Sequence, residues 1–403
     1  MKQPPSATRA EPAQPHARLI ANLLAQIALG MVMMTLCLPS MQDWGSLFAA
    51  EPAAVQLTFS AYVAAYGVLQ IVYGPLTDRY GRRPILLAGL LLALGASLLA
   101  CLASSLAALS VARLLQGAGG AAGIVVGRSM IHDHFRGHDR TRMMAYVGMT
   151  MGVCPPTASI VGGYLHVHLG WQSNFVLMTV LCLALLVAAY RGVPRAAAVA
   201  RAPLPAATST SPVIAFRELL GNRRFVAGLV ILACTTACFY VMLSGAPLVL
   251  GAYGVGPEGV GFYIMFGPLS FITGNFLSSR LVGRLSARSA IAVGQVLTLS
   301  CPVLMLTLAW AGWHAPLAFA LPLILLGLGH GLLVPPALSG ALGAVPAIAG
   351  TAAGMIGLMQ QVLGAVGAYS VGWVHHNDAT AVALLMMAFT LVSVVAQRAL
   401  VRG

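Results

Sequence analysis

Of the 403 residues, 59% are hydrophobic and only 8% are charged, and the mean hydropathy is +0.87. A soluble chain of this length carries about a quarter charged residues, so a water-facing surface is excluded and the bilayer is the expected solvent. The net charge of +13 does not signal nucleic acid, because the basic residues sit in short connections between apolar runs and form no patch on a soluble domain. The seven cysteines (Cys37, Cys101, Cys154, Cys182, Cys234, Cys238, Cys301) fall in or beside apolar runs, without a CxxC or Cys/His cluster. Neither a disulfide framework nor a zinc site is expected of them, only small buried apolar side chains.

Residues 1–17 are polar and rich in Pro and Ala. The apolar run 19–41 that follows has the length of a full span, and many similar runs come after it. It is therefore expected to be a first transmembrane helix and not a cleaved signal. Twelve runs long enough to cross about 30 Å at 1.5 Å per residue can be marked: 19–41, 54–74, 84–103, 107–129, 142–165, 171–190, 225–247, 258–279, 289–310, 315–336, 349–372 and 379–397. The longest break, Arg191–Arg224, contains Pro194, Pro203, Pro205, Pro212 and a Thr-Ser-Thr-Ser stretch. It reads as a linker. The expected division is a six-helix unit over 1–190, a cytoplasmic linker over 191–224 and a second six-helix unit over 225–403. The sequence therefore predicts an all-α integral membrane protein of two pseudo-symmetric six-helix bundles. A weak repeat supports the pseudo-symmetry: Arg280-Leu-Val-Gly-Arg-Leu, after run eight, matches the place of Asp78–Arg83 after run two but lacks its aspartate.

Lys and Arg set the orientation. With the N-terminus inside, Lys2, Arg9 and Arg18 are cytoplasmic, followed by Arg79, Arg82 and Arg83 after run two and Arg128, Arg136, Arg140 and Arg142 after run four. The linker arginines, Arg280, Arg284 and Arg288, and the closing Arg398 and Arg402 fall on the same side, while Asp43, Glu51, Glu258 and Asp378 fall on the other. Both termini are thus expected in the cytoplasm. The one basic residue that breaks the bias is Arg113.

Arg113 lies about two turns into run four, within Ala112-Arg-Leu-Leu-Gln-Gly117. It either faces the protein interior or a watery cavity, or it snorkels to the outer headgroups. Other polar residues inside the runs are candidates for substrate or coupling roles because they are costly in lipid. They include Asn22, Gln26 and Thr35 in run one, Gln116 beside Arg113, Tyr240 in run seven, His330 in run ten and Gln360 in run eleven. Helix-to-helix hydrogen bonding is the competing role for most of them. His330 titrates near neutral pH in water and is either a proton carrier or a packing residue. No catalytic constellation, phosphate loop or metal-ligand spacing is present in the runs.

The charged turn Gly74-Pro-Leu-Thr-Asp-Arg-Tyr-Gly-Arg-Arg83 joins runs two and three. Gly81 suits a tight turn and Pro84 a first helical position. Asp78 is placed to cap a neighbouring helix N-terminus, and Arg82 to pair with Asp133 near the end of run four. Otherwise the turn is simply a solvated loop that obeys the charge bias.

With six plus six runs around it, this turn closely resembles the signature between helices two and three of the major facilitator superfamily. The chain is similar to the bicyclomycin/chloramphenicol-resistance branch of twelve-helix drug:proton antiporters over nearly its whole length. Val55-Gln-Leu-Thr-Phe-Ser-Ala-Tyr62, Arg113-Leu-Leu-Gln-Gly117, Ser244-Gly-Ala-Pro247 and Ala349-Gly-Thr-Ala-Ala353 add to the likeness. The resemblance implies a central cavity between the halves that opens alternately to each side. It also implies a gating role for Gly74, Asp78, Arg79, Gly81, Arg82, Arg83 and Asp133.

Three departures bear on coupling. The family often has an acidic residue in helix one, where this chain reads Thr35-Leu-Cys-Leu-Pro39. The helix-five signature reads Ala158-Ser-Ile-Val-Gly-Gly163, with its prolines displaced to Pro155 and Pro156. Gly170-Trp-Gln172 stands where Gly-Trp-Arg is usual. Coupling then rests on Arg113 with water, on His330, on Asp43, or is absent.

The function expected is proton-driven export of small amphipathic molecules such as antibiotics from a bacterial-type inner membrane, by a monomer. No cofactor is expected, the proton gradient supplies the energy, and the partners are lipid, substrate and protons. The alternatives are a metabolite exporter or facilitator with weak or no coupling, and a non-transporting membrane sensor or scaffold.

Overall fold

The computed structural model describes residues 17–135, 137–193, 212–281, 284–374 and 378–400. The first half comprises α1 (Ala17–Thr35), α2 (Met41–Leu47), α3 (Pro52–Tyr80), α4 (Arg82–Cys101), α5 (Leu106–His134), α6 (Gly137–Leu169) and α7 (Gln172–Gly192). A short α8 (Pro212–Gly221) precedes the second half. That half comprises α9 (Arg223–Ala252), α10 (Pro257–Ile264), α11 (Phe266–Leu281), α12 (Ala287–Trp310), α13 (Pro316–Ala320), α14 (Leu323–Gly343), α15 (Ala349–Ser370) and α16 (Thr380–Leu400).

Eleven helical stretches among the described residues are long and apolar enough to cross a membrane. Helix α6, which contains the fifth expected run, is not among them: Thr150, Pro155, Pro156, Thr157 and Ser159 dilute its apolar pattern. The helix starts follow local chemistry. Ser105, Asn222 and Ser286 each accept a backbone N–H of the first turn, from Ala108, Phe225 and Ser289, which satisfies a donor that has no intrahelical partner.

Three expected runs are not continuous helices. The first stops at Thr35 and resumes as α2, because Pro39 has no N–H with which to carry the ladder on. The eighth breaks between Ile264 and Phe266, four residues before Pro268, and the tenth breaks around Pro322. In the stretch expected as linker, 212–221 is helical, while 194–211 lie outside the described residues. Lys2, Arg9, Arg136, Arg195, Arg201 and Arg402 also lie outside them.

The packing repeats between the halves. α5 packs on α3, α4 and α1, just as α14 packs on α11, α12 and α9; the α4–α7 contact has its counterpart in α12–α16. The halves meet through α3 against α15 and through α6 against α10 and α11. Glycine permits the closest of these approaches. A Cβ built on Gly117 in α5 would sit 2.2 Å from the Tyr62 carbonyl oxygen of α3, whereas one on Gly95 in α4 would meet nothing within 4 Å. Gly117→Ala is therefore expected to destabilise the protein by about 1–3 kcal/mol by forcing α3 and α5 apart, while Gly95→Ala is neutral or mildly stabilising. Thermal unfolding of both variants in detergent checks this, and equal melting temperatures would refute it.

Side-chain hydrogen bonds that join the halves gather at the acidic end of the bundle. Gln42 donates to the carbonyls of Pro247 (2.6 Å) and Val255 (3.3 Å), and Gln56 to that of Ser244 (3.0 Å). Behind them Trp44, Trp171 and Phe175 form a packed aromatic cluster, and His166 lies 2.7 Å from Asp43. The halves are thus tied together at the end away from the arginine clusters.

Candidate functional site

On the arginine side of that closure lies a cavity of about 410 Å³ between the halves, a size typical of small-molecule sites. The first half supplies Met31, Met34, Tyr66, Gln70, Ile124, Arg128 and Met151. The second half supplies Thr235, Thr236, Phe239, Tyr240, Phe271, His330, Gln360 and Gln361 among others. Methionine and aromatic side chains give an adaptable apolar wall. Its polar groups are partly prepaired: Gln360 donates to the Thr236 hydroxyl (3.0 Å) and the Tyr240 hydroxyl to Gln361 Oε1 (3.1 Å).

Of the polar residues singled out in the runs, Tyr240, His330 and Gln360 line this cavity. The other five are not in its wall. Asn22 donates to the Ala188 carbonyl, and Gln26 donates to Asn22 Oδ1 and to the Leu185 carbonyl, so both brace α1 against α7. Thr35 donates to Met31 O, and its own carbonyl accepts from Ser159 of α6. Gln116 donates to the Ser97 hydroxyl of α4.

Arg113 is 0% exposed, which excludes snorkelling. Its guanidinium donates to Met33 O (2.7 Å), Met34 O (3.3 Å) and Gln116 Oε1 (2.9 Å), and it lies 4.4 Å from the Tyr62 ring centroid. Met33 and Met34 are in the last turn of α1, where carbonyls lack helical partners and the helix dipole is negative. The end of α1 at Thr35 thus leaves the acceptors that Arg113 fills, and among the described residues no carboxylate is needed to hold this cation inside the bundle.

Several cavity residues carry no obvious mark in the sequence. Tyr66 and Gln70 share one face of α3 at a spacing of four, as do Ile124 and Arg128 on α5. That periodicity, applied to polar residues inside runs, is the signal that could have found them. The charge of Arg128 points to the connection after run four; α5 continues to His134 and places it in the cavity wall.

The charged turn between α3 and α4 is an interhelical clamp. Gly81 adopts φ +91°, a backbone that favours glycine. Arg82 donates to Thr77 Oγ1 (2.6 Å) and Asp78 Oδ1 (2.8 Å), and reaches Asp133 Oδ2 of α5 at 3.3 Å. Arg83 donates to the Tyr190 carbonyl of α7 and lies over that residue's ring, while Arg79 lies over Tyr80. Around Gly74 a Cβ would meet nothing within 4 Å. Among the described residues, these contacts of Arg82 and Arg83 join α3, α4, α5 and α7 of the first half.

Two repeated helical halves closing at one end around a central cavity, with an inward-facing buried arginine and a charged interhelical clamp, define a secondary transporter. The family model described as Major Facilitator Superfamily matches residues 19–368, and the chain belongs to that superfamily. It is 29% identical to multidrug resistance protein D of Escherichia coli (strain K12), over 87% of each chain. It is 27% identical to a chloramphenicol resistance protein of Pseudomonas aeruginosa, covering 93% of this chain and 87% of the relative. With a bicyclomycin resistance protein homolog of Haemophilus influenzae it shares 26% identity, over 89% and 90% of the two chains. Among solved structures, a bacterial homolog of the human lysosomal transporter Spinster, inward-facing and unoccupied, superposes with a TM-score of 0.72. That match covers 96% of this chain and 98% of the other at 15% identity, a likeness of fold.

Proposed function

We propose that the protein is an alternating-access exporter of small drug-like molecules, driven by protons entering from the opposite side. The observation that carries this reading is the cavity between the halves, shut at the acidic end and walled by methionine, aromatic and amide groups. The resistance proteins among its relatives supply the substrate class. In this reading α6 crosses the bilayer as a twelfth span, and residues 1–190 and 225–403 are the two bundles. The arginine-rich end faces the cytoplasm of a bacterial inner membrane, so the described state is open inward. Protein and lipid suffice without a cofactor, and a monomer is complete.

A second reading is favoured by one observation: no Asp or Glu lines the cavity among the described residues. The titratable groups available for proton transfer are then His330 in the wall and the Asp43–His166 pair at the closed end. If neither is used, the protein is a facilitator or metabolite exporter without coupling. Uptake of chloramphenicol and bicyclomycin into proteoliposomes, with and without an imposed pH gradient, separates the readings. Antiport predicts that an outward-directed proton gradient accelerates uptake. Transport indifferent to the gradient would establish the facilitator. Absence of both transport and ligand-induced thermal shift would point to a sensor or scaffold.

A further inference from the structure

Hydrogen-bonding capacity inside the cavity is unevenly used. Gln360, Gln361, Tyr240 and Thr236 pair with one another. Three other wall groups do not. The hydroxyl of Tyr66 and Nε2 of His330 are buried with no protein partner among the described residues; their side chains are 1% and 5% exposed. Buried polar groups are nearly always hydrogen-bonded, so two orphans on residues of one cavity wall need an explanation. The third group is Arg128, an exposed residue whose guanidinium has, among the described residues, only a weak acceptor, Met151 Sδ, at 3.5 Å. It is also the sole permanently charged residue among those lining the cavity.

These three groups come from α5, α3 and α14, and so from both halves. Around them Met31, Met34, Phe239 and Phe271 leave an apolar volume. Arg128 is itself exposed, but its guanidinium has no carboxylate partner among the described residues, and the apolar walls beside it focus its field on the cavity, so anions are attracted and cations repelled. Its planar fork matches a carboxylate or phosphonate oxygen pair, and a tyrosine hydroxyl adds a neutral donor.

The geometry points to a substrate class: a small molecule with a carboxylate or phosphonate headgroup on an apolar body, its headgroup held by Arg128 and Tyr66. Cationic amphiphiles are disfavoured. This deepens the export reading and rests on it for the cavity being the substrate site. It adds selectivity by charge, which neither the apolar wall nor proton coupling requires.

The test compares three ligands with one apolar body, phenylbutyrate, phenylbutanol and phenylbutylamine, on purified full-length protein in neutral detergent. Binding is read by intrinsic tryptophan fluorescence and by thermal shift. Phenylbutyrate should bind at least about tenfold more tightly than the amine, with the alcohol between them. In Arg128→Gln that spread should fall to within about threefold, and Arg128→Lys should retain part of it. Tyr66→Phe should weaken phenylbutyrate alone, and it serves as the readout if Arg128→Gln does not fold. Equal or tighter binding of the amine, a preference that survives Arg128→Gln, or binding of none of the three would overturn the assignment. Repeating the titration in nanodiscs containing phosphatidylglycerol distinguishes a soluble substrate from a lipid headgroup. An unchanged preference supports the former, and its loss overturns the substrate assignment. No gradient is present in these measurements, so they can fail while proton-coupled export stands, and the reverse.

Discussion

Replacing Arg113 by Ala is expected to abolish transport and to lower the unfolding free energy by about 3–5 kcal/mol. The reason is local. Three hydrogen bonds, to Met33 O, Met34 O and Gln116 Oε1, and the face of Tyr62 hold this guanidinium. Truncation strands two carbonyls at the end of α1 and leaves an arginine-sized void among α1, α3 and α5. Arg113→Lys restores the charge, but its compact ammonium cannot span acceptors on two helices in the same plane, so an intermediate loss is expected. Because Arg113 is outside the cavity wall, its substitution should damage turnover by releasing the broken end of α1, not by removing a ligand contact. Thermal unfolding in detergent and uptake by proteoliposomes measure the two effects. Unchanged stability and transport in Arg113→Ala would show that the interior arginine is dispensable.

Asp78→Asn should cut turnover about tenfold or more while ligand affinity stays within about threefold, as read by transport and by equilibrium binding. The pair Asp78–Arg82 is largely exposed on its acidic side, and exposed pairs contribute under about 1 kcal/mol to static stability. Any large effect must therefore act on passage between states, where tenfold in rate needs only about 1.4 kcal/mol of barrier. In the described state Arg82 draws Thr77, Asp78 and Asp133 together, fixing the ends of α3, α4 and α5 as one body. A rigid first half is what rocking against a second half requires. Arg82→Gln removes all three contacts and should be the more severe change. Loss of binding with normal turnover in Asp78→Asn would sink this role.

The division of labour between sequence and fold can be followed in single residues. Runs such as 84–103 and 289–310 were legible because a bilayer makes every span satisfy its own backbone, and so writes a local signal. The placement of Arg82 against Asp133 was legible because a short turn leaves few partners within reach. The breaks after Thr35 and Ile264 were visible only as prolines. Whether a proline kinks, ends or restarts a helix depends on which group donates to the freed carbonyls, and at the end of α1 that donor is Arg113, about eighty residues away.

Polar residues show the limit most clearly. Gln26 and Gln360 both sit in apolar runs with equal claims on function. Packing turned Gln26 toward α7 as a brace and Gln360 into the cavity. Arg128, by its charge a residue of the connection after run four, was carried into the wall because α5 runs on to His134. The amino-acid sequence by itself determined a membrane protein of repeated halves with a charge-biased end and a charged turn between two spans, because those properties follow from composition and local spacing. Only the tertiary structure decided which faces of α3, α5, α9, α14 and α15 enclose the cavity, and hence what it can bind. A face acquires its role from the helix opposite, and that helix lies far away along the chain.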